Sequence, residues 1–317
     1  MHKTPPVVAL IVALVAVLAS VSLAMGATPS PKGATPSQKG ARRRDSAHAN
    51  KSTVNRLSPG SHTLSLTVGN LQRTFIVDVP SGPPVANRAL VLVYHGAYDT
   101  AANMVTETNL LPQVNGAGDL IAFLQGVDDT WNEGSGSTPA RTAHVNDVAF
   151  TAAVIARLRK LTPFDPSRVA AVGISNGAIM VEDLGCRLSG RISLIVPVEG
   201  QMSTVQSATC SVGKAENVYE IHGTADPNIP YAGGYFSTSI GYDTVLSAPK
   251  SVARWAQLDG CTTGPVTTTP SSTISLSTYS NCRDGASVTL QTIIGGVHVF
   301  PPNIGELVVQ QLALLPK

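Results

Sequence analysis

Three side chains, Ser175, Asp226 and His298, have the types needed to turn a hydroxyl into a nucleophile. A serine hydroxyl is inert until a base withdraws its proton. An imidazole serves best as that base when a carboxylate holds its far nitrogen. Ser175 lies in Gly173-Ile174-Ser175-Asn176-Gly177, between the apolar runs 169–172 and 178–181. A strand, a tight glycine turn and a helix in that order lift a serine clear of a sheet. The glycines are required because side chains there would collide with neighbouring backbone. Taken alone, the pentapeptide fits a glycine-rich turn with a capping serine equally well, and the remaining residues must discriminate.

Asp226 sits in His222-Gly223-Thr224-Ala225-Asp226-Pro227, directly after the segment 218–222, which reads as a strand. In isolation it reads as an Asp-Pro turn. His298 follows Gly295-Gly296 at the end of the apolar run 288–294. Of the seven histidines, His95 and His222 precede glycines at strand ends, where they brace loops. His298 is the one that follows the acid. Nucleophile, acid and histidine in this order, at spacings of 51 and 72 residues, match the α/β-hydrolase arrangement. Acyl transfer also needs N–H donors at the developing oxyanion, worth roughly 3–4 kcal/mol each. The N–H of Asn176, next after the nucleophile, is one candidate. The loop Tyr94-His95-Gly96-Ala97-Tyr98 supplies the other from Ala97, with Tyr98 as the alternative.

These residues need a scaffold that ends several strands at one rim. The segments 64–68 and 74–79, joined through Gly69-Asn70, read as a β-hairpin. Run 89–94 is continuously apolar, as a strand buried on both faces is, and 120–124, 169–172, 194–198, 218–222 and 288–294 also read as strands. Helical spacing is read at 101–114, 147–161, 249–258 and 303–314, and 128–143 as a polar, Gly-rich loop. The expected fold is α/β, a mainly parallel central sheet with helices on both faces and an antiparallel N-terminal hairpin, within one catalytic domain over 53–317.

Ahead of this domain, Lys3, the apolar run 7–25 and the small residues up to Ala27 describe a secretory signal over 1–27. An uncleaved anchor is the rival reading. Residues 28–52, with Arg42-Arg43-Arg44 and no large apolar side chains, read as a disordered linker. The arginines suit an anionic envelope surface as well as plain solvent. Charged residues are 13% of the chain and the net charge is +2, so no basic field favours nucleic acid. The four cysteines, Cys186, Cys210, Cys261 and Cys282, point to disulfides in an exported chain. Three connectivities are open; pairing sequence neighbours, Cys186 with Cys210 and Cys261 with Cys282, closes the shortest loops. No C-x-x-C pair is present, which disfavours zinc.

His95-Gly96, the elbow 173–177, the block 222–231, Gly295-Gly296-Val297-His298, Trp131-Asn132, Asn146-Asp147-Val148-Ala149-Phe150 and Asp259-Gly260-Cys261 with the later Cys282 together resemble the polyhydroxybutyrate depolymerase-like esterases. That group includes feruloyl and acetylxylan esterases. The resemblance covers about residues 60–314. It implies an extracellular α/β-hydrolase that cleaves carboxylic esters with no metal or cofactor, its triad falling on Ser175, Asp226 and His298. Three departures border the acyl pocket: Ala178 after the elbow, Val299 after the histidine, and Ala97-Tyr98-Asp99 after His95-Gly96. The function expected is hydrolysis of hydroxyalkanoate oligomers or of feruloyl or acetyl-type esters. An acyltransferase on the same acyl-enzyme, or a non-catalytic surface-binding protein on a hydrolase scaffold, are the alternatives. Oligomeric state is left open.

Overall fold

The computed structural model describes residues 56–83, 85, 87–238 and 241–315. The signal and linker expected over 1–52 lie outside the described residues. In chain order the elements begin with strands β1 (Gly60–Val68), β2 (Leu71–Val79) and β3 (Leu90–Tyr94). Helices α1 (Ala101–Glu107) and α2 (Leu110–Gly116), strand β4 (Leu120–Leu124), and helices α3 (Pro139–Thr142) and α4 (Asp147–Leu161) follow. Next come β5 (Val169–Ile174), α5 (Asn176–Arg187), β6 (Leu194–Val198), α6 (Thr204–Thr209) and β7 (Asn217–Gly223). The chain continues through β8 (Gly234–Thr238), β9 (Gly241–Val245) and α7 (Ala248–Leu258), then β10 (Thr263–Ser271), β11 (Ile274–Ser280), β12 (Val288–Ile293) and α8 (Ile304–Leu314).

Ten of these strands form one sheet, in the order β1-β2-β4-β3-β5-β6-β7-β12-β11-β10. The strands from β4 to β12 in that order run parallel. The hairpin β1–β2 adds an antiparallel edge, as its alternating sequence implies. Strand β3 shows how the core is divided. Leu90, Leu92 and Tyr94 point into the cluster that includes Phe150 and Val154 of α4, Met180 and Leu184 of α5 and Trp255 of α7. Val91 and Val93 point into the other, with Met104, Val114, Ile304 and Val308. Helices therefore cover both faces, which is why β3, β4 and β5 carry no polar alternation.

Three features differ from the sequence reading. The helix expected over 101–114 is two helices, because Thr108 adopts an extended conformation with φ −118° and ψ 157°. The loop after β7 carries the separate hairpin β8–β9. A second antiparallel ribbon, β10–β11, extends the sheet beyond β12. Both disulfides join sequence neighbours, Cys186 to Cys210 and Cys261 to Cys282. Among the described residues, no helix is long and apolar enough to cross a membrane.

Between α5, β7 and α7 lies a group of buried acids: Glu182, Glu216, Glu220 and Asp259. Glu182 accepts the Trp255 indole N–H. Glu216, Glu220 and Asp259 have carboxyl oxygens with no hydrogen-bond partner. Burial pushes Glu182 up to about 8 and Asp259 up to about 7. Burial, then neighbouring acids, also raises Glu216 and Glu220. These groups hold their protons in the fold and lose them in the unfolded chain above ordinary carboxyl values. Their contribution to stability is complete below about pH 4 and is lost as pH climbs toward the raised values. Calorimetry is expected to give a melting temperature at least about 5 °C higher at pH 5 than at pH 8.5. Equal or reversed values would show that the group is ionised in the fold.

Candidate active site

The turn between β5 and α5 is strained where the serine sits. Ser175 has φ 60° and ψ −124°, a conformation that costs an L-residue roughly 1–3 kcal/mol. Its N–H donates to Val198 O at 3.0 Å, and its own carbonyl accepts from Ala178 and Ile179 at 2.9 and 3.1 Å. The flanking glycines are obligatory. A Cβ on Gly173 would lie 2.3 Å from Gly177 O, and one on Gly177 would lie 2.4 Å from both Tyr94 O and His95 O. The Ser175 hydroxyl caps no helix N–H, so the capping-serine reading of the pentapeptide falls.

Asp226 and His298 meet, although 72 residues separate them in sequence. His298 Nδ1–H donates to Asp226 Oδ2 at 2.7 Å. The other oxygen, Oδ1, accepts the N–H groups of Asn228 and Ile229 at 2.7 and 3.0 Å. The carboxylate is held well below the usual range: burial opposes this, and the neighbouring His222 together with the hydrogen bonds from His298 and Asn228 outweighs it. With Nδ1 donating, the imidazole presents Nε2 as a base. Ser175, Asn176, Ala97 and His298 all line one cavity of about 350 Å³ at the carboxyl ends of the strands. Ile179, Ile229 and Phe236 form its apolar wall; Glu133, Tyr242 and Asp243 contribute the polar side.

The two oxyanion candidates are also brought together. Tyr98 N–H donates to Asp129 O at 2.8 Å, which removes it as a donor. Ala97 and Asn176 N–H make no hydrogen bond among the described residues, and both border the cavity. Asn176 opens α5, where the helix dipole adds positive potential. Trp131 sits buried beneath these loops rather than over the cavity. Its indole N–H donates to His95 O at 2.9 Å, and its backbone N–H donates to Asn176 Oδ1 at 2.8 Å. His95 braces the same loop. Its Nδ1–H donates to Gly96 O at 2.7 Å and its Nε2 accepts Gly126 N–H at 2.9 Å, while burial pushes the imidazole below its ordinary value.

Behind Asp226 lie two residues that the sequence reading did not assign to the site. Glu199 follows β6 and His222 ends β7; both are fully buried. With Asp226 they form the one group of three potential metal-ligating side chains, within 4.8 Å of one another, among the described residues. The donor set does not suit a cation. His222 Nε2 lies 3.0 Å from Ile229 O and so carries its hydrogen. Both Glu199 oxygens accept Gly223 N–H at 3.0 Å, and Asp226 already accepts three N–H groups.

No protein-family model matches the chain. It is similar to feruloyl esterase B of Piromyces equi, 29% identical over 234 residues, covering 71% of this chain and 42% of that protein. The chain thus spans less than half the length of that relative. It is also similar to the putative esterase NocK of Nocardia uniformis subsp. tsuyamanensis, 26% identical over 253 residues, covering 74% and 73% of the two chains. Among solved structures it resembles acetyl xylan esterase from Aspergillus awamori, with a TM-score of 0.58 at 14% identity, over 80% of this chain and 99% of the other. Native pOPH gives a TM-score of 0.54 at 13% identity, over 83% and 89%. Sheet order, the glycine elbow and these likenesses give the chain the α/β-hydrolase fold, which it shares with esterases.

Proposed function

We propose that the chain is a secreted serine esterase that hydrolyses carboxylic esters through an acyl-enzyme on Ser175. His298 Nε2 takes the Ser175 proton as Oγ attacks the ester carbonyl. Asp226 keeps the imidazole in the Nδ1–H tautomer and stabilises the imidazolium. The N–H groups of Asn176 and Ala97 stabilise the oxyanion. The protonated histidine then gives its proton to the departing alcohol. Water, deprotonated by the same imidazole, attacks the acyl carbon and returns Ser175 with release of the carboxylic acid.

The observation that carries this reading is the 2.7 Å contact of His298 Nδ1 with Asp226 Oδ2, beside a serine held at φ 60° on the same cavity. Similarity to feruloyl esterase B and to a putative esterase supports the ester chemistry. A half-open cavity of about 350 Å³ suits a feruloyl, acetyl or short hydroxyalkanoate group. Two disulfides fit export.

A fluorophosphonate probe is expected to modify Ser175, identified by peptide mass spectrometry. The same preparation is expected to hydrolyse p-nitrophenyl acetate and butyrate. An unlabelled Ser175 in folded protein would instead favour a non-catalytic binding role.

A further inference from the structure

We propose that Glu199 is a positioning residue that donates a hydrogen bond to Asp226 from the buried side and holds that acid in line with His298. The proposal rests on the serine-esterase reading above. Glu199 occupies an unusual place for its type. It is a non-glycine residue at φ 50°, in the left-handed region that L-residues avoid. Its neighbours tie it to both halves of the site. The preceding residue, Val198, accepts the Ser175 N–H at 3.0 Å. A Cβ on the following Gly200 would lie 2.7 Å from Ser175 O. The Glu199 N–H itself donates to Ile221 O at 2.9 Å, next to the strand end that leads to Asp226. The segment is therefore wedged between the elbow and the acid loop.

Charge decides which carboxyl keeps a proton. Glu199 and Asp226 are both buried, with carboxyl oxygens within 4.8 Å of one another. Two such carboxylates cannot both ionise at this range. Asp226 accepts two backbone N–H groups and His298 Nδ1–H, so it is the ionised member. Glu199 accepts the single N–H of Gly223. No arginine or lysine faces it among the described residues; the titratable neighbours are His222, Asp226 and, beyond Asp226, His298. His222 Nε2 stands 3.5 Å from both acids and spends its hydrogen on Ile229 O. Glu199 thus keeps its proton. Burial first and Asp226 second push it up to about 9. Ionisation above that value would replace a hydrogen bond with repulsion and push Asp226 away from His298.

The experiment is a kcat/KM profile from pH 5 to 10.5 on p-nitrophenyl butyrate, for the wild type, Glu199→Gln and Glu199→Ala, with folding checked by circular dichroism at each pH. The wild type is expected to lose activity about tenfold or more on the alkaline side while still folded. Glu199→Gln keeps an amide donor that cannot ionise. It is expected to stay within about threefold of the wild type at pH 7.5 and to lack the alkaline fall. Glu199→Ala is expected to lose at least about tenfold across the range. A folded wild type with no alkaline fall, or a Glu199→Gln enzyme that keeps it, would overturn the proposal. The wild-type profile stands by itself if a variant does not fold. Retained turnover in Ser175→Ala would instead sink the esterase reading, which keeps the two failures apart.

Discussion

Ser175→Ala is expected to lower kcat for p-nitrophenyl butyrate by about 10⁴-fold or more, while the melting temperature stays within a few degrees of the wild type. The loss is some 5.5 kcal/mol of transition-state stabilisation on the rate scale. It is large because the variant retains only the Asn176 and Ala97 N–H groups and the cavity. The fold is spared because the Ser175 hydroxyl caps no helix N–H, and alanine can inherit the same backbone path. Residues that act as a unit are not additive, so the double variant with His298→Ala should fall to about the level of either single variant. Turnover within tenfold of the wild type, or losses that simply sum, would show that the serine and the histidine do not act together.

Gly177→Ala attacks the same site through backbone geometry. The added methyl would sit 2.4 Å from two carbonyl oxygens, those of Tyr94 and His95. Neither can retreat readily, because Tyr94 is paired to Leu124 on one side and to Gly173 on the other, and His95 O accepts the buried Trp131 indole N–H. The expected cost exceeds about 4 kcal/mol, read as a melting temperature lowered by roughly 10 °C or as failure to accumulate soluble protein. Gly116→Ala is the matched control. It ends α2 with nothing within 4 Å of the new methyl, and should be neutral or stabilising by up to about 1 kcal/mol. A Gly177→Ala protein that melts like the wild type would mean the elbow relaxes freely.

The parallel strands were legible because burial on both faces leaves an unbroken apolar signature, as in Leu90–Tyr94. Legible strands located their own ends, and the polar residues just past them gave Ser175, Asp226 and His298. The ribbon β10–β11 had no such signature. Strand β10 is exposed along its length, reads Thr-Gly-Pro-Val-Thr-Thr-Thr-Pro-Ser, and contains two prolines that argue against a ladder strand. The break between α1 and α2 left one signal, Pro112, which would interrupt a helix over 101–114 and instead sits in the first turn of α2. Glu199 follows β6 as Asp226 follows β7, so strand-end position alone does not separate them; Glu199 is fully buried, and burial is not written in the residues around it. Trp131 is a lone indole in a polar, glycine-rich loop, and that sequence says nothing about which way the loop folds.

The hairpin β8–β9 enters the chain between the acid and α7, and Phe236 and Tyr242 on it close one side of the cavity. It is fastened to the facing loop by polar contacts, Tyr242 N–H to Ser137 Oγ at 3.0 Å and Ser135 Oγ to Asp243 Oδ2 at 2.7 Å. No reacting group rides on it. Exchange of this insert for one of another length or composition would redraw which molecules gain entry while the bond-breaking apparatus stayed as it is. Natural or engineered diversification can therefore proceed at the doorway without touching the hearth.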